Sequence, residues 1–132
     1  MIWQLTFYKS PEAARADCFQ VGFFDSLDEV ESVKAHYTSN VPGFRDCPDG
    51  TWELTGHPID RPPDGLLWQV IGYNWSEDGD ERDLICSPVF ADRAAAERCR
   101  TELAARYERE SMEIVRIEVD RRWWAEGFDS IG

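Results

Sequence analysis

The 132-residue chain predicts an α+β fold, a tandem ββαβ pseudo-repeat of about six mainly antiparallel strands with two helices packed on one side. Three observations lead there. Ile2-Trp3-Gln4-Leu5-Thr6-Phe7-Tyr8 is echoed by Leu67-Trp68-Gln69-Val70-Ile71-Gly72-Tyr73 at an offset of 65, with Trp, Gln and Tyr identical. Phe23-Phe24-Asp25-Ser26 aligns with Val89-Phe90-Ala91-Asp92 at an offset of 66, a strand end followed by a helix cap in each copy. The order strand, strand, helix, strand then reads twice along the chain.

In the first half, residues 1–57, Trp3, Leu5 and Phe7 alternate with Gln4, Thr6 and Tyr8, which is the period of a strand. Cys18-Phe19-Gln20-Val21-Gly22-Phe23-Phe24 is rich in strand formers and reads as its hairpin partner. Ser26 precedes Glu29 by three residues, the spacing of a capping box that opens a helix. Leu27, Val30, Val33 and Tyr37 supply the buried stripe, and Pro42 sets the stop near Ser39-Asn40. Trp52 and Leu54, flanked by Thr51, Glu53 and Thr55, form a third strand. Residues 58–65 hold Pro58, Pro62, Pro63 and Gly65 and have the composition of a short connector.

The second half, residues 66–132, repeats the order. Leu67 to Trp75 and Leu84 to Phe90 are paired strands around the anionic turn Ser76-Glu77-Asp78-Gly79-Asp80-Glu81. Asp92 caps a helix with Ala96, Cys99, Leu103 and Tyr107 on its apolar side, and Val115, Ile117 and Val119 alternate in the last strand. A tail follows with Arg121-Arg122-Trp123-Trp124 and Phe128. The whole is expected to form one compact domain.

If Trp3, Leu5 and Phe7 face the helices, then Ile2, Gln4, Thr6 and Tyr8 face away, and the second copy turns out Leu67, Gln69, Ile71, Tyr73 and Trp75. That is more apolar surface than a monomer leaves wet, which makes Tyr8, Ile71, Tyr73 and Trp75 candidates for a sheet-face interface. The alternative is that the halves fold over one another and bury both faces.

Lys plus Arg total 14 against 26 Asp plus Glu, a net charge of -12, which excludes a basic groove gripping nucleic acid as the dominant surface. Each half carries -6, so no acidic tail is responsible. The start, Met1 to Thr6, has neither the basic region nor the apolar stretch of a secretion signal, and a soluble cytoplasmic protein that binds no membrane is expected. Cys18, Cys47, Cys86 and Cys99 are scattered, and the expectation is four reduced, buried thiols. Zinc on Cys47 and His57 lacks a close ligand pair, and calcium at Glu77, Asp78, Asp80 and Glu81 lacks the twelve-position spacing. No metal and no cofactor is expected.

No phosphate loop, nucleophile elbow or zinc-protease motif occurs, and the two histidines are His36 in the first helix and His57 at a strand end. The chain therefore reads as non-enzymatic. A body with distributed negative potential steers toward basic protein surfaces, and such surfaces belong above all to nucleic-acid-binding proteins and nucleases. The leading expectation is an inhibitor that occludes such a surface, of the physical type of immunity proteins and phage inhibitors. Its contacts are Glu77, Asp78, Asp80, Glu81 and Asp83, with Trp123 and Trp124 as aromatic anchors beside arginines. The bland alternative for the tail is that one tryptophan closes the core. Competing functions are a structural homodimer, a small-molecule sensor with its ligand between the repeats, and a small enzyme that uses His57.

Overall fold

The computed structural model describes residues 1–13, 17–75, 82–107 and 112–128, with the backbone alone at 73–75 and 82–84. The expected α+β class and strand order are found. Six strands form two antiparallel sheets of three, and the chain divides into two compact units. The first unit holds Met1–Ala13, Asp17–Pro58 and the segment from Asp120 onward; the second holds Ile59–Val119. The aromatic tail is thus part of the first unit.

In the first unit, β1 (Ile2–Tyr8) is the central strand, between β2 (Phe19–Phe24) and β3 (Thr51–His57). The β1–β3 ladder runs unbroken through seven pairs, from Ile2 with His57 to Tyr8 with Thr51. The β1–β2 ladder shifts by one residue, since Leu5 pairs with Gly22 and Thr6 with Gln20, which leaves Val21 as a bulge. Helix α1 (Leu27–Asn40) begins where the cap spacing indicates and ends one residue before Val41. The Ser26 hydroxyl accepts from the Glu29 amide at 3.3 Å. The reciprocal half of the expected capping box does not form, because Glu29 Oε1 accepts instead from Arg122 Nη2 at 2.7 Å.

Val30, Val33 and Tyr37 of α1 are buried against Leu5, Phe7, Val21, Phe24 and Phe44. Leu27 departs from the expected stripe and is 48% exposed, as the first helical residue stands ahead of the turn that meets the sheet. Phe7 is the hub of this core, with ring centroids 4.9 Å from both Phe44 and Trp52. Aromatic pairs at such separations and tilts add about 0.5–1.5 kcal/mol each beyond their buried area.

The second unit repeats the topology. Strand β4 (Leu66–Trp75) lies between β5 (Arg82–Phe90) and β6 (Glu113–Glu118), and β4 and β5 slip register between Gln69 and Ile71, the position matching the bulge of the first unit. Helix α2 (Arg93–Arg106) is capped by Asp92, whose carboxylate accepts from the Ala94 amide at 3.0 Å. Ala96 packs on Val70 and Met112, with Cys99, Leu103 and Tyr107 half-buried around them.

Where it is described, the second face of each sheet is not left open to solvent, while Tyr73 and Trp75 of the expected interface have no described side chains. Ile2, Gln4, Thr6, Tyr8, Leu67 and Gln69 are all buried and Ile71 is half-buried. Gln4 tolerates this because its side chain is hydrogen-bonded on both ends, to Gln20 and to His57, and Gln69 donates to the Ser87 carbonyl at 2.9 Å. Polar residues with internal partners make an in-out alternation where both faces are covered. None of the four cysteines is in a disulfide and all are half-buried, more open than expected.

The tail docks where glycine permits it. A Cβ on Gly22 of β2 would stand 2.6 Å from the Arg121 carbonyl oxygen, and one on Gly43, at φ 89°, would stand 2.7 Å from the Phe128 ring. Gly22→Ala is expected to push the tail off β2, at a cost of about 1–3 kcal/mol as overpacking. Limited proteolysis should then cut the segment after Asp120 faster than in wild type. Equal cleavage rates and an unchanged urea midpoint would show that the tail does not depend on this seat.

Candidate protein-interaction surface

The tail completes the first sheet at its β2 edge. The Asp120 amide donates to the Phe23 carbonyl and the Trp123 amide to the carbonyl of the bulged Val21, both at 2.8 Å, with Arg122 bridged to Gly22 between them. Beyond the turn, Gly127 donates to the Trp124 carbonyl and Phe128 to the Pro42 carbonyl. The Tyr37 hydroxyl donates to the Trp123 carbonyl at 2.8 Å. Burial raises the pKa of that hydroxyl, while the Arg122 guanidinium pulls the other way, so it stays protonated and able to donate.

Phe128, not a tryptophan, is the tail residue that closes the core. Its ring stacks on Phe19 at 4.1 Å and meets Phe44 at 4.8 Å. Trp123 and Trp124 each remain 46% exposed. Arg121 lies over the Trp123 ring at 4.0 Å from its centroid, and Trp124 stands edge-on to Phe19 at 4.8 Å. Trp124 has φ 61° and Asp120 has φ 71°, both left-handed. Aspartate tolerates that region, but for a bulky residue it costs roughly 1–2 kcal/mol.

Beside the docked tail, Asp25, Ser26, Asp28, Glu29 and Asp120 line an open cleft at the start of α1. Four carboxylates meet there against Arg122, the base that reaches Glu29. This acidic cleft was missed in the sequence because Asp120 comes from the far end of the chain. Asp25, Asp28 and Glu29 alone look like ordinary residues before a helix, where negative charge is favoured.

The acidic turn expected as the contact, Glu77, Asp78, Asp80 and Glu81, lies outside the described residues, as do the side chains of Asp83, Tyr73 and Trp75. Tyr8, the remaining sheet-face candidate besides Ile71, is buried. Among the described residues no group of three or more His, Cys, Asp or Glu comes together to hold a metal. None of their helices is long and apolar enough to cross a membrane.

His57 is 7% exposed, and its Nε2 lies 2.8 Å from Gln4 Oε1, while Gln4 Nε2 donates to Gln20 Oε1 at 2.7 Å. An amide oxygen only accepts, so Nε2 carries the proton. Burial lowers the pKa of the imidazole and keeps it neutral. The ring is a link in a structural chain of hydrogen bonds, with Phe23 as its aromatic neighbour. The Cys99 thiol is pushed up chiefly by burial, which withholds the thiolate a nucleophile needs.

No protein-family model, no curated protein and no solved structure matches this chain. What it does must be inferred from its own residues.

A neutral buried His57 makes stability depend on pH. Its folded pKa lies below the ordinary 6.5, so its contribution is complete above that value and is lost as pH falls through the lower folded value. Between about pH 7 and pH 5, the wild-type melting temperature should therefore fall more than that of His57→Gln, whose amide can still donate to Gln4. Parallel melting curves for the two proteins across that window would rule this out.

Proposed function

We propose that the protein is a non-enzymatic interaction module, an inhibitor or immunity-type protein that occludes the basic surface of a nucleic-acid-binding protein or nuclease. The observation that carries this reading is Trp124, a large aromatic held at left-handed φ with nearly half its surface open. Backbone preference does not account for tryptophan at that position, and its edge contact with Phe19 does not account for the open half of the side chain. Contact with a partner does, since tryptophan and arginine dominate binding hot spots. Trp123 under Arg121 supplies a second such group on the same tail.

The charge supports the same reading. A net charge of -12 spread over both halves raises the rate of encounter with a positive surface and disfavours nucleic acid itself. The cleft of Asp25, Asp28, Glu29 and Asp120 gives that field a local focus next to the tail. Glu77, Asp78, Asp80 and Glu81, between β4 and β5 in the sequence, and Asp83 of β5 enter the reading by their charge alone.

The test separates anchors from steering. Trp124→Gly removes the ring and relieves the backbone. The lost Phe19 contact, about 0.5–1.5 kcal/mol, is offset by the relieved strain, and the fold should keep its melting temperature within a few degrees. Joined with Trp123→Ser, it should weaken binding of basic nucleic-acid proteins captured from host extract by at least about tenfold, mainly through faster dissociation. Asp25→Lys with Asp28→Lys, or Asp78→Lys with Asp80→Lys, should instead slow association and flatten its salt dependence. Capture that is identical for all variants, or a wild-type protein that enriches no basic partner at low salt, would remove the basis for the proposal.

A further inference from the structure

Among the described residues, three of the four sheet edges carry a feature that blocks further strand pairing, and the fourth does not. The outer edge of β2 is occupied by the tail through Asp120, Arg122 and Trp123. Strand β5 has a register slip and the exposed Pro88, which lacks an amide hydrogen. Strand β6 carries three charges in six residues, Glu113, Arg116 and Glu118. Strand β3 is seven residues long, without proline or bulge, and has a single charge, Glu53. Thr51 and Glu53 to Gly56 are all exposed, and among the described residues no backbone bond reaches the outer edge of β3.

We infer that this edge pairs with the β3 edge of a second copy of the chain, antiparallel about a two-fold axis at Leu54. The register follows from the side chains. With Leu54 facing its own copy, Glu53 lies opposite Thr55 and Trp52 opposite Gly56, so no like charges face each other. Leu54 pairs with Leu5 in β1 and so shares the helix-side face of the sheet, yet it is 40% exposed. Helix α1 packs on β1 and β2 and meets β3 at Trp52, two residues before Leu54, which stays largely open. The second leucine extends the apolar layer at the point where the helix leaves it open. The pairing is self-complementary, as a two-fold interface requires, and it lies at the sheet edge opposite the tail.

Strand addition alone buries less than a standard interface of roughly 1,200–2,000 Å², so the dimer is a weak one whose population rises with concentration. Two bodies of charge -12 repel, and salt should tighten the dimer by screening that repulsion.

Sedimentation of the full chain across a concentration series should show the mass rising toward twice the monomer, more steeply at high salt. Leu54→Lys sets two ammonium groups across the axis and should weaken association at least about tenfold, with an unchanged circular dichroism spectrum. A short bismaleimide should link Leu54→Cys copies, whose positions face each other, and not Thr51→Cys copies, whose positions stand six residues or about 20 Å apart in this register. The wild type, with its four native cysteines, sets the background for both. A monomer at every concentration overturns the inference, as does a dimer that Leu54→Lys leaves intact or that links equally through Thr51→Cys. Protection of the β3 amides from exchange only on adding a captured basic protein would assign the edge to that partner and overturn it too.

Discussion

The first unit depends on how closely the backbone of its C-terminal segment can approach β2. A three-stranded sheet has two open edges, and an open edge presents unpaired amides and carbonyls to any strand that passes. Here one edge is closed from within, by donation from Asp120 and Trp123 to carbonyls of β2. The approach requires the absence of a side chain at Gly22, and the return at Pro42 requires it again at Gly43. Once the tail is seated, its other contacts follow. Phe128 fills the aromatic core, Tyr37 holds the Trp123 carbonyl, and Arg122 crosses to Glu29. The ion pair is partly exposed and adds at most about 1 kcal/mol, so the backbone bonds and Phe128 hold the segment and Arg122 sets its register.

The two units solve the same problem with different closures. Both have their first strand in the centre, a bulge at the matching step of the second strand, and a helix capped by a short polar side chain. Both bury a glutamine at the matching position of the central strand, Gln4 in one and Gln69 in the other, bonded to neighbours on the flanking strand. Buried amides with partners on adjacent strands favour one register over a slipped one, because a slip would leave them without those partners. In the second unit the strand after the helix carries alternating charges; in the first it carries one. That contrast leaves β3 as an edge with unspent pairing capacity.

Two side chains with reactive chemistry are held in neutral forms among the described residues. The imidazole of His57 is buried, neutral and tied to Gln4, and the Cys99 thiol is held in its protonated form. What the surface does offer is a set of carboxylates in one cleft and two half-exposed tryptophans on a segment that three backbone bonds hold to the rest of its unit. A rigid aromatic anchor loses little conformational freedom when it is covered, and the surrounding negative field acts at longer range on the rate of encounter.

The sequence by itself determined the elements and their order. Period-two alternation marked β1, β3 and β6, the spacing of Ser26 and Glu29 and the position of Asp92 marked the helix starts, and Pro42 marked the end of α1. These signals are local, since each depends on residues within one turn or one strand. The exposure of faces was not legible in the same way. Gln4 and Thr6 look outward-facing by polarity, but Gln4 is buried because Gln20 and His57, both distant in sequence, satisfy its amide. The docking of the tail, the use of Phe128 in place of a tryptophan in the core, and the meeting of Asp120 with Asp25, Asp28 and Glu29 were decided by tertiary structure alone. Each brings together residues about a hundred positions apart, and no periodicity within a strand or helix carries information over that distance.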